Sequence, residues 1–251
     1  MKIDRFEIVD RCLYWKEQAL LVIGDLHLGY EQVLQEGGWN LPLTQFEETA
    51  GRLDGIFKYF KKKRYKIKKI ILLGDVKHSF SGVLKQEFSD FDKMIKLFEG
   101  YLEKDGKIVV IKGNHDNILY PIIQKYPNII FEEFYSVEDI LFFHGDQLII
   151  KTMSLEFLKE KYGLLVAGHF HPAILLKEGA KQEKYKCFLY GKLNNINKKV
   201  IFMPSFFPLV EGTDISDGLL DNKIDVHNFE VFIVDEEGNT YEFGRLRKLK
   251  I

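Results

Sequence analysis

Leu20-Leu21-Val22-Ile23-Gly24-Asp25-Leu26-His27-Leu28-Gly29 joins an apolar run to a short polar box. An apolar run stopped abruptly by Gly-Asp reads as a buried parallel strand ending in a functional loop. Asp25 and His27, two apart on that turn, can aim at one point. A divalent cation wants this arrangement, because it takes carboxylate oxygen and neutral imidazole nitrogen together. Alone the pair carries little weight: Asp-x-His arises by chance, and its plainest reading is a polar strand-to-loop turn. The deciding question is whether the chain repeats the design.

It does so four times. Ile70–Leu73 runs into Gly74-Asp75, and Ile108–Ile111 leads to Gly113-Asn114-His115-Asp116. Ile140–Phe143 closes at His144-Gly145-Asp146, and Leu164–Ala167 at Gly168-His169-Phe170-His171-Pro172. Ligands of open α/β sheets bind at the carboxyl ends of strands. Five such ends would bring together Asp25, His27, Asp75, Asn114, His115, His144, His169 and His171. One histidine after a strand is more often a hydrogen-bonded loop or core residue. Five matching boxes point to a shared metal site. Oxygen and nitrogen donors suit Mn²⁺, Fe²⁺, Co²⁺ or Zn²⁺ rather than Mg²⁺ alone.

Helices are expected between the strands. Thr44-x-x-Glu47 has the form of a capping box. Phe46, Ala50, Leu53, Phe57 and Phe60 then recur at helical spacing, which predicts a helix over 44–62. Phe88, Phe91, Ile95, Phe98 and Leu102 predict a second, ending near Gly106. Shorter helices are expected at Ile118–Ile123, at Met153–Tyr162 and within the loop after His27. Arg5–Val9 and Leu13–Trp15 read as an edge hairpin. Lys186–Gly191 with Val200–Met203, and Phe229–Val234 with Thr240–Phe243, read as two more. Pro208–His227 is expected to be a long surface loop. Lys61–Lys69 is strongly basic and reads as a helix C-terminus and solvated turn in preference to a phosphate-binding patch. With no linker and no repeat, residues 1–251 are expected to form one domain.

Composition narrows the class. The chain has 251 residues, 46% hydrophobic and 29% charged, which is enough for a substantial core. A formal net charge of −1 argues against a dedicated electrostatic nucleic-acid binder, but allows a local basic groove. Cys12 and Cys187 make no CxxC pair, so neither a disulfide framework nor a thiolate zinc site is expected. The N-terminal residues lack a signal peptide's apolar core, and no run of about 18 apolar residues could span a membrane. The expected compartment is the cytoplasm.

The ordered set Asp-x-His, Gly-Asp, Gly-Asn-His-Asp, His, Gly-His-x-His resembles the calcineurin-like metallophosphoesterase superfamily. All five blocks stand in family order from Gly24 to His171. The resemblance implies a four-layer α/β/β/α sandwich and two divalent metals, Mn²⁺ first, with Fe, Co, Ni and Zn as alternatives. By motif, Asp25, His27, Asp75 and His171 would hold one metal. Asp75, Asn114, His144 and His169 would hold the other, with Asp75 bridging. His115 corresponds to the family's catalytic histidine and Asp116 to its orienting partner.

The chemistry follows from that arrangement. Two cations neutralise an anionic ester and acidify a bridging water for attack on phosphorus. His115 as general acid would contribute roughly 10²–10⁴ in rate. Asp-Leu-His-Leu-Gly and the His78 of Gly-Asp-Val-Lys-His look like the SbcD-related nucleases and the phosphoesterases encoded beside a DNA ligase. In that branch the matching histidine contacts substrate; for His78 itself a plain loop histidine stands as an equal alternative. The stretch after His171 does not read as the capping module of the larger nucleases, so processive double-strand resection is not expected. The substrate implied is a phosphodiester, of DNA, RNA or a small nucleotide, with no membrane partner and the oligomeric state left open. The rival from another class is a metal-binding, non-catalytic adaptor in a DNA-repair assembly.

Overall fold

The apolar runs become strands because both of their faces are buried. The computed structural model describes residues 1–80, 82, 84–146, 161–179 and 181–249. Its first sheet runs in chain order through β1 (Lys2–Ile3), β2 (Phe6–Val9), β3 (Cys12–Trp15), β4 (Leu20–Ile23), β5 (Lys69–Leu72), β6 (Lys107–Ile111) and β7 (Ile129–Glu132). Strands β1 to β4 are antiparallel, and β4 to β7 are parallel. Parallel neighbours need crossovers. These contain α1 (Tyr30–Glu36), α2 (Gln45–Lys63), α3 (Lys85–Glu99) and α4 (Tyr120–Ile123).

The second sheet is mixed. It is built from β8 (Phe134–Val137), β9 (Ile140–Phe143), β10 (Leu164–Ala167), β11 (Pro172–Glu178), β12 (Lys181–Leu193), β13 (Lys198–Phe202) and β14 (Thr213–Asp214). A small ribbon pairs β15 (Leu219–Leu220) with β16 (Ile224–Asp225). β17 (Glu230–Val234) and β18 (Thr240–Arg245) then extend the second sheet from β12. At its centre β10 lies parallel to both β9 and β13.

Strand alternation divides the apolar residues among three cores. Leu21, Ile23, Ile70, Leu72, Ile108 and Val110 face α2 and α3, against Leu53, Phe57, Ile95 and Phe98. Their neighbours Leu20, Val22, Ile71 and Val109 face the other way, onto Ile140, Phe142, Leu164 and Val166 of the second sheet. Leu141, Leu165, Ala167 and Leu189 form the third core, on the far side of that sheet. Three cores separate four layers. This is an α/β sandwich with the two sheets packed face to face. Among the described residues, the outermost cover comes from Tyr162, Ile215, Leu220, Val226 and Leu246. The helix expected at Met153–Tyr162 lies outside the described residues except for its last two.

Several local expectations change. Thr44 makes no side-chain cap. Its hydroxyl donates to Glu31 Oε1 at 3.3 Å, and Glu31 Oε2 accepts the Gln45 amide at 3.0 Å, so a carboxylate from α1 caps α2. The basic run does close α2, with Arg64 in the left-handed region at φ 57°. Phe88 points outward, and Met94 takes its place in the core. Pro208–His227 is not purely surface, since Ile215, Leu220 and Val226 are buried. Strands β7, β8 and β11 were not expected. β7 and β8 are four-residue strands with no strong alternation, and β11 opens on a proline, which a first strand position tolerates.

Phe57 stacks on Tyr101 at 4.7 Å between ring centroids and meets Phe98 edge-on at 6.0 Å. Phe57→Ala is expected to cost about 3–5 kcal/mol of stability, read as a lowered denaturant midpoint at unchanged slope.

Candidate active site

Register delivers the boxes to one edge. Ile23 pairs with Leu72 and Leu72 with Val110, so Asp25, Asp75 and Asn114 emerge at the same end of the first sheet. In the second sheet Phe143 and Phe202 flank Ala167, which places His144 beside His169. The two ends are joined by Phe206 and Phe207, whose amides donate to the Asp25 carbonyl at 3.0 and 3.1 Å. Gly168 allows the close approach: a Cβ there would sit 2.5 Å from Asp25 Oδ1.

The turns that present these side chains are strained. His27, Asp75, His169 and His171 have φ of 45°, 47°, 64° and 45°. Such a backbone costs non-glycine residues about 1–3 kcal/mol each and persists only where the surroundings hold it.

The eight residues expected to converge do so. His171 Nε2 lies 2.8 Å from Asp25 Oδ2. Asp75 Oδ2 is 3.3 Å from His144 Nε2 and 3.8 Å from both His27 Nε2 and His115 Nε2. His144 Nε2 also faces Asn114 Oδ1 at 3.1 Å and His169 Nδ1 at 3.2 Å. Asp25, His27 and His171 offer ligand atoms within 4.8 Å of one another, as do Asp75, His144 and His169.

This donor set fits a pair of divalent cations. His144 Nδ1–H donates to the Leu73 carbonyl at 2.7 Å. That bond directs the Nε2 lone pair inward, as in metal-binding histidines. Lone pairs of two carboxylates, one amide oxygen and several imidazoles then face each other, an arrangement that needs protons or cations between them. Protons fill that role in the bare protein. Burial opposes a charge on His144, but its hydrogen bond to Asp75 and the charges of Asp25 and Asp75 prevail and lift its pKa to about 10. Burial likewise works against Asp25, yet His171 holds its carboxyl below the ordinary value. His27, with burial as the main cause, is pushed well below the usual imidazole range.

His115 and Asp116 part company. The His115 Nδ1–H donates to the His78 carbonyl, which turns Nε2 toward Asp75. Among the described residues the Asp116 carboxylate makes no hydrogen bond to the ring, which the orienting role expected of it would need. It accepts backbone amides from Val76, Lys77 and Gly113, at 3.1, 3.3 and 3.0 Å, and so ties the loop after β5 to the loop after β6. Burial, then the charge of Asp75, raises its pKa to about 6. His78 is brought into the cluster, with Nδ1 3.2 Å from His27 Nδ1. Burial and the neighbouring His115 lower its pKa to about 4.

Sequence reasoning missed the supports. Gln45 Nε2 donates to the His27 carbonyl at 2.7 Å. Glu87 accepts the amides of His78 and Ser79, and packs where a Cβ on Gly29 would fall, 2.3 Å from its Cγ. Lys186 is buried, with its amine donating to Ser205 Oγ at 2.8 Å and to the Ser205 and Phe207 carbonyls. Burial, then Arg11, pushes that amine well below its usual pKa. Only Glu87 left a local signal, since it reaches back to the Leu84 amide at 2.8 Å like the last residue of a capping box.

With fold and site in view, kinship is decided. The model of the calcineurin-like phosphoesterase family matches residues 19–205, and the chain belongs to that family. It is a metal-dependent phosphoesterase. Nuclease MPE from Pseudomonas putida is a similar solved structure, with TM-score 0.60 and 19% identity over 93% of this chain and 92% of that one. Zinc-bound Vps29 from Entamoeba histolytica matches at TM-score 0.38 and 14% identity, over 89% and 96%. AQ665 from Aquifex aeolicus matches at TM-score 0.38 and 19% identity, over 61% and 78%. No curated protein sequence matches. Among the described residues, no helix is long and apolar enough to cross a membrane.

Coordination requires neutral imidazole, whereas, against the cost of burial, Asp75 and Asp25 favour the imidazolium form of His144 and lift its pKa to about 10. Loading with a divalent cation at pH 8 is expected to release protons, seen in calorimetry as a binding heat that varies with the buffer's ionisation enthalpy.

Proposed function

We propose that this protein is a two-metal phosphodiesterase of the SbcD-related type, acting on nucleic acid. Asp25, His27, Asp75 and His171 would hold one metal. Asp75, Asn114, His144 and His169 would hold the other, and Mn²⁺ suits this mixed oxygen and nitrogen set. The observation that carries the assignment is Asp75 Oδ2, which faces His27 Nε2 on one side and His144 Nε2 on the other. When bound, two divalent cations supply Lewis acidity that offsets the charge of the ester and acidifies water.

The chain's own groups do the rest. His115, fixed at Nδ1 by the His78 carbonyl, presents Nε2 to the cluster. Protonated there, it can hold a phosphoryl oxygen by a charged hydrogen bond. As water attacks phosphorus and the ester P–O bond breaks, the same nitrogen can pass its proton to the departing oxygen. Asp116 serves by clamping the two loops that carry Asp75 and His115. His78 supports His115 through its carbonyl and faces His27 with its ring, a place from which it can meet substrate. The similarity to a nuclease and the Leu-Gly and His78 features of the motifs favour nucleic acid over a small nucleotide ester.

Wild type with Mn²⁺ is expected to hydrolyse bis-p-nitrophenyl phosphate. His115→Ala should lower kcat by roughly 10²–10⁴, while Asp75→Ala should also lower the metal content measured by elemental analysis. Full activity in either variant would sink the assignment. Mn²⁺-dependent shortening of DNA is the expected result on polymer, and its absence beside brisk turnover of small diesters would favour the small-nucleotide reading.

A further inference from the structure

Phe80 lies two residues beyond His78, on the loop that supports His115. Its ring centroid is 3.7 Å from that of His115, at an interplanar angle of 32°. Yet Phe80 is 59% exposed, more than any other phenylalanine among the described residues. The neighbouring Lys77 turns its amine inward to the Ser79 carbonyl and is buried. This loop therefore offers a ring to solvent where it could have offered a cation. Further aromatic groups pack beside it, the last of them, Phe207, buried. His78 lies nearly parallel to His115 at 5.0 Å, Tyr30 meets His78 edge-on at 4.7 Å, and Phe207 meets Tyr30 at 4.9 Å.

A bare phenyl ring gains nothing from water. Against the His115 imidazole it covers part of one neighbour and leaves much of its own surface open. The group that fills this space must be flat and apolar on its face, and must be joined to a phosphate that reaches His115 Nε2. Nucleobases are the flat groups that phosphodiesters carry, and an aromatic ring stacks on any of them without regard to sequence.

We infer that Phe80 is a specificity-determining residue: a platform on which the base of the nucleotide carrying the scissile phosphate stacks beside His115. This rests on the phosphodiesterase reading above and adds what the site selects. Phosphate position is set by the cluster beneath, and base stacking orients the leaving group toward the acid. Tyr30 and His78, both half-buried, lie on the side where such a base would rest, with the buried Phe207 ring behind Tyr30.

The test is the ratio of kcat/KM for thymidylyl-thymidine to that for the same dinucleotide with both bases replaced by hydrogen, each with Mn²⁺. Wild type should favour the base-bearing diester by about tenfold. Phe80→Ala should bring the ratio close to unity, and Phe80→Tyr should restore it. Equal losses on both substrates would leave the ratio unchanged and overturn the stacking role, making Phe80 only a prop for His115. Wild type that cleaves both without preference overturns this inference alone, while wild type that cleaves neither overturns the phosphodiesterase reading with it. A second readout needs no turnover and is made on the Mn²⁺-loaded protein. In Phe80→Trp, thymidine 5′-monophosphate should quench tryptophan fluorescence beyond any change that Trp15 and Trp39 give in wild type. No added quenching would count against the platform.

Discussion

Two buried carboxylates govern this structure. Asp25 and Asp75 sit at the join of the two sheets, nearly without solvent contact. Among the described residues no lysine or arginine forms an ion pair with either; their partners are imidazoles. A buried charge without compensation is too costly to keep. The site meets that demand with charge that can be exchanged, protons in the bare protein and cations when loaded. A lysine in their place would neutralise the carboxylates for good and leave nothing for a metal to do.

The geometry around them follows. Each box stands on a strand whose two faces are locked into separate cores, so the strand ends cannot drift. Left-handed backbone at His27, Asp75, His169 and His171 aims side chains inward at a cost that this packing sustains. Around that centre, buried polar side chains hold loops through backbone groups. Gln45 secures His27, Glu87 secures His78, Asp116 joins two loops and Lys186 fastens the 205–207 segment to β12. Precise ligand placement depends on such supports, because a donor misplaced by 1 Å loses much of its effect.

The floor and the rim of the site divide their work. The floor is made of carboxylate, amide and imidazole donors, and handles charge. The rim of Tyr30, His78 and Phe80 is aromatic, with the buried Phe207 ring packed behind Tyr30. His115 belongs to both, with one ring nitrogen turned toward Asp75 and its face against Phe80.

The strands and the boxes are written in the residues themselves. Strands buried on both faces read as unbroken apolar runs, and Gly-Asp, Gly-Asn-His-Asp and Gly-His-x-His mark where each stops. These signals are local, so the family, the layers and the eight converging residues were legible before any coordinate. Tertiary structure alone decided the rest. The hydrogen bond to His115 expected from Asp116 goes to the His78 carbonyl instead, because the loop after β5 folds over Asp116 and offers it the Val76 and Lys77 amides, beside that of Gly113 in its own loop. Thr44 lost its capping box to Glu31, which comes from another helix. Lys186 and Ser205, or Phe80 and His115, meet only when distant segments pack, and no spacing in the chain records such a meeting. What depends on a strand's own burial can be read from its residues; what depends on which distant neighbour supplies a hydrogen bond or a ring face exists only in the folded chain.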